Sequence, residues 1–188
     1  GKKNYTQKFL NNMSIIEKPS IKLNSKKQYT KITYSPDFSK FNTEGLSDDM
    51  VNIMKKRAYD MASCAKYANI YFNDEKLTYN FENYINCYIG TKSMTPRVFE
   101  TVNSKWDIGL SLNSDQNFEC ISFVNGINTI KGGKHVDYIC NQICKKLADV
   151  IKKKNKININ PKFIKDNIIL FIKCTIDNPS FSSQTKEF

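Results

Sequence analysis

Near the C-terminus, "NPSFSSQTKEF" (178–188) puts an amide, a hydroxyl and an ammonium next to each other: Gln184, Thr185 and Lys186. Gln184 and Lys186 can both donate to phosphate oxygens, and such charge-assisted bonds are strong once water is excluded. Three residues are too common a set to be specific, so by composition alone the stretch is equally a frayed polar tail. The run "KKKNK" (152–156) is a second candidate. Lys152, Lys153, Lys154 and Lys156 could grip a phosphate backbone without regard to base sequence. The run reads equally as a solvated helix end, because lysines in a last turn complement the helix dipole.

"KGGKH" (131–135) could hold an anion at a helix N-terminus, but reads first as a tight turn into a helix. His135, the only histidine, falls in that helix's first turn, where the dipole disfavours its charged form. One histidine argues against a hydrolytic triad and against the common zinc sets. The six cysteines form no C-x-x-C pair. Cys140 and Cys144, four apart, read as small buried hydrophobes, with the thiols reduced in an intracellular protein. There is no phosphate-binding G-x-x-x-x-G-K motif and no acidic cluster with metal spacing, so no residue is assigned to a metal.

The chain has 188 residues, with 29 Lys+Arg against 18 Asp+Glu for a net charge of +11. That excess predicts affinity for polyanions, or else a merely soluble surface. Lysine and asparagine both have A/T-rich codons, which shifts the weight from the number of lysines to their placement. No run of 18 apolar residues is present, so no membrane partner is expected.

These candidates need elements to hold them. Residues 4–13 and 29–34 alternate like strands, with a loop over 17–28 and a turn over 35–41. Residues 46–63 predict a helix capped by Ser47, with Asp48 and Asp49 in its first turn. Met50, Ile53, Met54, Tyr59 and Met61 supply its apolar face. "NIYFNDEKLTY" (69–79) reads as a hairpin turning at Asn73-Asp74, and "FENYINCYI" (81–89) as a short helix. Strands are expected near 97–103, 105–112 and 118–124, with Trp106 packing in the core. A long helix should follow Gly132-Gly133, carrying a stripe of Val136, Ile139, Cys140, Ile143, Leu147, Val150 and Ile151. Pro161 bars its continuation. "NIILFIKCTI" (167–176) is nearly unbroken in its apolar character and predicts a central strand buried on both faces. The pattern as a whole is α/β (α+β), in two parts.

Several segments, in order, resemble the second half of the N-terminal ATPase region of eukaryotic-type (type IIA) DNA topoisomerase II. They are "YTKITYSPDFSKF", "RAYDMAS", "ISFVNGINTIKGGKHVDYICNQI", "VIKKKNK" and "NPSFSSQTKEF". The resemblance runs from near residue 5 to 188. It implies the end of a GHKL ATPase domain over 1–79, followed over 80–188 by a transducer domain with a ribosomal-protein-S5-domain-2-like fold. It also implies that Gln184, Thr185 and Lys186 form a Gln-Thr-Lys loop at an ATP site, where Gln184 and Lys186 meet the γ-phosphate and Lys186 acts in catalysis. Lys152, Lys153, Lys154 and Lys156 match a lysine loop that contacts double-stranded DNA. ATP and Mg2+ are the implied cofactors, a homodimer the implied assembly, and the nucleus the implied location. The family's magnesium-holding Asn, general-base Glu and cleavage Tyr match nothing in this sequence, so this chain by itself is expected neither to hydrolyse ATP nor to cut DNA. The alternative from another class is a basic nucleic-acid-binding module without nucleotide chemistry. It would display aromatic or arginine readers on an open sheet face.

Overall fold

The structure, a computed structural model, describes residues 2–23 and 29–186. The part of the expected loop at 24–28, and Glu187 and Phe188, lie outside the described residues. The chain forms two compact units, Gly1–Met50 and Val51–Phe188.

In the first unit, β1 (Lys3–Thr6) pairs antiparallel with β4 (Ser20–Leu23), and β2 (Phe9–Leu10) with β3 (Ile15–Ile16). This corrects the expected strand over 4–13. Asn11, Asn12 and Met13 all take positive φ and turn the chain back on itself, a conformation asparagine tolerates better than most residues. It also corrects the loop expected over 17–28, which contains β4. Residues 29–34 are not a strand either. Alternation put Ile32 and Tyr34 on one face, but these two and Tyr29 are all exposed, and no described strand lies alongside to bond the backbone. A short 3-10 turn (Phe38–Phe41) falls in the expected turn region. None of the described residues of this unit is buried.

Helix α1 (Asp48–Cys64) starts as expected: the Met50 amide donates to Ser47 Oγ at 3.3 Å, and Asp48 and Asp49 occupy the first turn. Its buried side is different from the expected one. Met50, Ile53 and Met54 are exposed, whereas Asp60, Ala62 and Ser63 are buried. The apolar spacing over-weighted methionines at the start of the helix, and the packing comes from its last two turns.

The second unit is built on a five-stranded sheet of order β10-β9-β11-β8-β7. It is preceded by the hairpin β5 (Ile70–Phe72) and β6 (Glu75–Leu77), which turns at Asn73 and Asp74, both with positive φ, as expected. The segment expected as one short helix is two single turns, α2 (Phe81–Tyr84) and α3 (Asn86–Ile89), with Asn80 capping the first. Strands β7 (Arg97–Val102), β8 (Trp106–Leu112) and β9 (Glu119–Val124) fall where alternation put them. Trp106 is partly buried against the core, as expected. β10 (Ile127–Asn128) was not foreseen. After it come α4 (Lys134–Asn155), α5 (Pro161–Lys165) and β11 (Ile168–Cys174).

β11 is the middle strand, antiparallel to β8 and parallel to β9. Side chains alternate across a strand, so Ile168, Leu170, Ile172 and Cys174 enter the cluster under α4 and α5, while Ile169 and Phe171 enter the cluster with Phe81, Tyr84 and Ile85. Both faces are therefore covered, as the unbroken apolar run predicted. The stripe on α4 differs from expectation. Val136, Cys140 and Cys144 are buried and Ala148 packs against them, whereas Leu147 and Val150 lie at the margin with 36% exposure each. The line drifts by steps of four around the helix, so it runs through Cys144 rather than Leu147.

The end of α1 is fixed to this body through a buried carboxylate. Asp60 is contacted by Lys56 Nζ at 3.1 Å and accepts from the Tyr84 hydroxyl at 2.5 Å, and Tyr84 in turn shares a hydrogen bond with Tyr88. Burial, then the bond to Asp60, pushes Tyr84 far above the usual phenol range, so it stays a donor.

Candidate functional site at the end of the central strand

The Gln-Thr-Lys residues stand at the end of a stem that continues from β11. That stem is held on both sides. On one side the Thr175 amide donates to Lys105 O at 2.8 Å, and Lys105 Nζ pairs with Asp177 at 2.9 Å. On the other, the Asn125 amide N–H donates to Cys174 O at 2.9 Å. The Asn125 side chain extends this ladder by one step, donating to Ile176 O at 3.0 Å and accepting from the Ile176 amide at 2.9 Å. Asn125 and Gly126 both have positive φ, as a two-residue Asn-Gly hairpin turn requires. Gly126 O also accepts from Arg57 Nη1 of α1 at 3.0 Å. One turn therefore contacts both α1 and the stem. Sequence reasoning missed Asn125, although "NG" between two apolar runs is a strong hairpin signal.

Beyond Pro179 the chain bends through Phe181, and residues 183–186 close a turn in which the Lys186 amide donates to Ser183 O at 3.1 Å. Ser183 Oγ and Thr185 Oγ1 share a hydrogen bond of 2.9 Å. Gln184, Thr185 and Lys186 are exposed, and the Lys186 ammonium lies 5.6 Å from the centre of the Phe181 ring. The tip thus presents one full positive charge and an amide to solvent, on a base tied to the central strand.

The stem and the start of α4 border a cleft of about 400 Å³, lined by Val124, Thr129, His135, Ile176 and Phe181 among others. Gly133, at the start of α4, has φ +145, and a Cβ there would come 3.0 Å from His135 Nδ1. That close approach is the structural use of the second glycine. His135 Nε2 is 3.3 Å from Thr129 Oγ1. Burial lowers the His135 pKa below its ordinary 6.5, with Asp137 opposing the shift. A depressed histidine pKa means the unfolded chain takes up the proton first, so stability should fall as pH drops below about 6.5. We expect His135→Gln to remove that part of the acid-side loss, read by urea denaturation between pH 7 and pH 5.

At the other end of α4, Lys152, Lys153 and Lys154 occupy the last turn, and Lys156 closes the helix in a left-handed cap with its amide on Lys152 O. All four are exposed, and none forms an ion pair among the described residues. The structure brings these lysines together but does not bring them to the tip. α4 has 22 residues, so its two ends stand about 30 Å apart. Burial pushes Cys120, Cys140 and Cys174 up to about 12, leaving them as neutral thiols in the core. Among the described residues no group of three His, Cys, Asp or Glu could hold a metal ion, and no helix is long and apolar enough to cross a membrane.

The mixed α/β fold of this chain is also found in solved structures. The ATPase region of Saccharomyces cerevisiae topoisomerase II matches 99% of this chain at 39% identity and a TM-score of 0.86, the chain covering 48% of it. The ATPase and transducer domains of DNA topoisomerase II from Balamuthia mandrillaris match 99% at 36% identity and a TM-score of 0.89, again with 48% of that chain covered. The family model described as DNA gyrase B matches residues 38–188, and the chain belongs to that family. Among curated relatives, Gallus gallus DNA topoisomerase 2-beta is 43% identical over 99% of this chain, and DNA topoisomerase 2 of Meyerozyma guilliermondii is 41% identical over 97%. The chain spans only 12% and 14% of those two proteins' lengths. The expected fold class, the end of an ATPase domain leading into a transducer, is the fold of the matched topoisomerase II regions.

Proposed function

We propose that this chain is part of an ATP-dependent type II DNA topoisomerase, in which it couples nucleotide state to closure of a DNA gate and passage of a duplex. The observation that carries this is the placement of an exposed lysine tip and a second, unpaired lysine cluster at opposite ends of one helix, both anchored on one sheet. In this reading 1–79 is the end of the GHKL ATPase domain and 80–188 the transducer. The network of Asp60 with Tyr84 and Tyr88 ties the two sides of that boundary together. The intact enzyme is a homodimer acting on double-stranded DNA in the nucleus.

The tip suits a terminal phosphate. Lys186 offers a point charge, and Gln184 a neutral donor beside it. ATP supplies the phosphoryl group to be transferred. Lys186 stabilises the charge that redistributes as the bond to the leaving oxygen breaks. The contact exists only while the γ-phosphate is bound, so it distinguishes ATP from ADP, and the held stem passes that difference to β11. Among the described residues no group of side chains fits Mg2+, so no step here is routed through it. The alternative, a basic module reading bases on a sheet, is disfavoured because the five-stranded sheet carries a packed cluster on each face.

The DNA arm of the proposal is tested at Lys152, Lys153 and Lys154. Replacing all three with Ala in an intact protein that carries this chain should weaken duplex binding most at low salt. The slope of log affinity against log salt should flatten by roughly 2–3, since each phosphate contact contributes about 0.9. Fluorescence anisotropy with duplexes of unrelated sequence reads this. An unchanged slope would contradict phosphate contact at this helix end.

A further inference from the structure

Phe181 belongs both to the core and to the tip. Its ring is partly buried against the cluster shared by β11 and α4, and it borders the cleft beside His135 and Ile176. The same ring carries the Lys186 ammonium at 5.6 Å from its centre. The turn between them is closed by the Lys186 amide on Ser183 O, and Lys186 itself has φ +58, a region disfavoured for a residue with a Cβ. Lys186, though exposed, is thus held with its ammonium beside an aromatic face by a turn in a disfavoured conformation.

We infer that Phe181 is a positioning residue that holds Lys186 in a resting place until a γ-phosphate draws the ammonium away. This rests on reading Lys186 as the γ-phosphate sensor. The ring quadrupole attracts a cation weakly at an exposed site. A terminal phosphate, with full negative charge, outcompetes it, whereas ADP leaves no anion within reach of the tip. The ring therefore raises the threshold for engagement, so that Lys186 does not settle on weaker anions. Because Phe181 is anchored in the core, moving Lys186 off it also frees the turn at 183–186 to rearrange.

The test uses Phe181→Leu in an intact protein that carries this chain, with Phe181→Tyr as the ring-preserving control. Lysines are labelled with 13C-methyl groups, and the Lys186 signal is identified by its disappearance in Lys186→Arg. In the nucleotide-free wild type that signal should be shifted by the ring current. It should lose the shift in Phe181→Leu and keep it in Phe181→Tyr. Phe181→Leu should bind a non-hydrolysable ATP analogue about 2–5-fold more tightly, with ADP affinity unchanged. A Lys186 signal indifferent to Phe181→Leu overturns the inference. So does a lost shift without tighter analogue binding. Lys186→Ala separates the two layers. If that variant keeps the wild-type preference for the analogue over ADP, the sensor reading fails, whereas the ring-current shift reports the resting contact independently.

Discussion

Lys186→Ala, in an intact protein that carries this chain, is expected to lower ATP-driven DNA relaxation and decatenation by about 10²–10³, the range seen when one preorganised donor is lost from a site of developing charge. ADP affinity should be unchanged, because in the proposed role the tip meets only the terminal phosphate. The physical reason is local. Lys186 carries the only full charge among residues 178–186, and the Asp177–Lys105 pair is set back on the stem. Gln184 can still hydrogen-bond but brings no charge. Lys186→Arg should restore only part of the loss, because a planar guanidinium occupies a different volume and directs its donors differently from an ammonium. Supercoil relaxation at saturating ATP is the measurement, with wild-type turnover in Lys186→Ala the contrary result.

Phe171→Ala should have the largest effect on stability, a loss of about 3–5 kcal/mol. Phe171 is fully buried in the central strand. Its ring meets Tyr88 edge-on at 5.8 Å, and its strand partner is Gly109, where a Cβ would come 3.3 Å from Phe171 Cβ and 2.5 Å from Ile85 Cδ1. The absence of a side chain at Gly109 is what lets Ile85 and Phe171 close over that strand. Removing the ring leaves a cavity that a two-sided sheet cannot collapse to fill. Domains of this kind have about 5–15 kcal/mol in total, so much of the margin would go. Phe171→Leu, which keeps most of the volume, should cost about 1.5 kcal/mol or less. Urea denaturation of both variants checks this, and near-equal losses would show that volume at this site is not what matters.

The parts of this chain that could be read in advance are those whose sequence carries a local reason. β11 is apolar on both faces and lies in the middle of the sheet. Asn73-Asp74 turns a hairpin, and Ser47 caps α1. The Gln-Thr-Lys tip and the 152–156 lysines were legible as residues but not as sites, because three polar residues or a lysine run are chemically ambiguous until their surroundings are known. Residues 29–34 alternate like a strand, yet no described strand bonds them, and alternation cannot say whether a partner exists. Asn125 and Phe181 were illegible for a different reason. Asn125 grips a backbone 51 residues away, and Phe181 matters through a ring–ammonium contact made by a turn.

The most direct measurement of the central claim is affinity labelling with an ATP analogue that carries a lysine-reactive group on its γ-phosphate. Peptide mapping of an intact protein that carries this chain should find the label on Lys186, with excess ATP preventing the reaction and excess free phosphate leaving it in place. Labelling confined to other lysines, with Lys186 untouched at full nucleotide occupancy, would contradict the account.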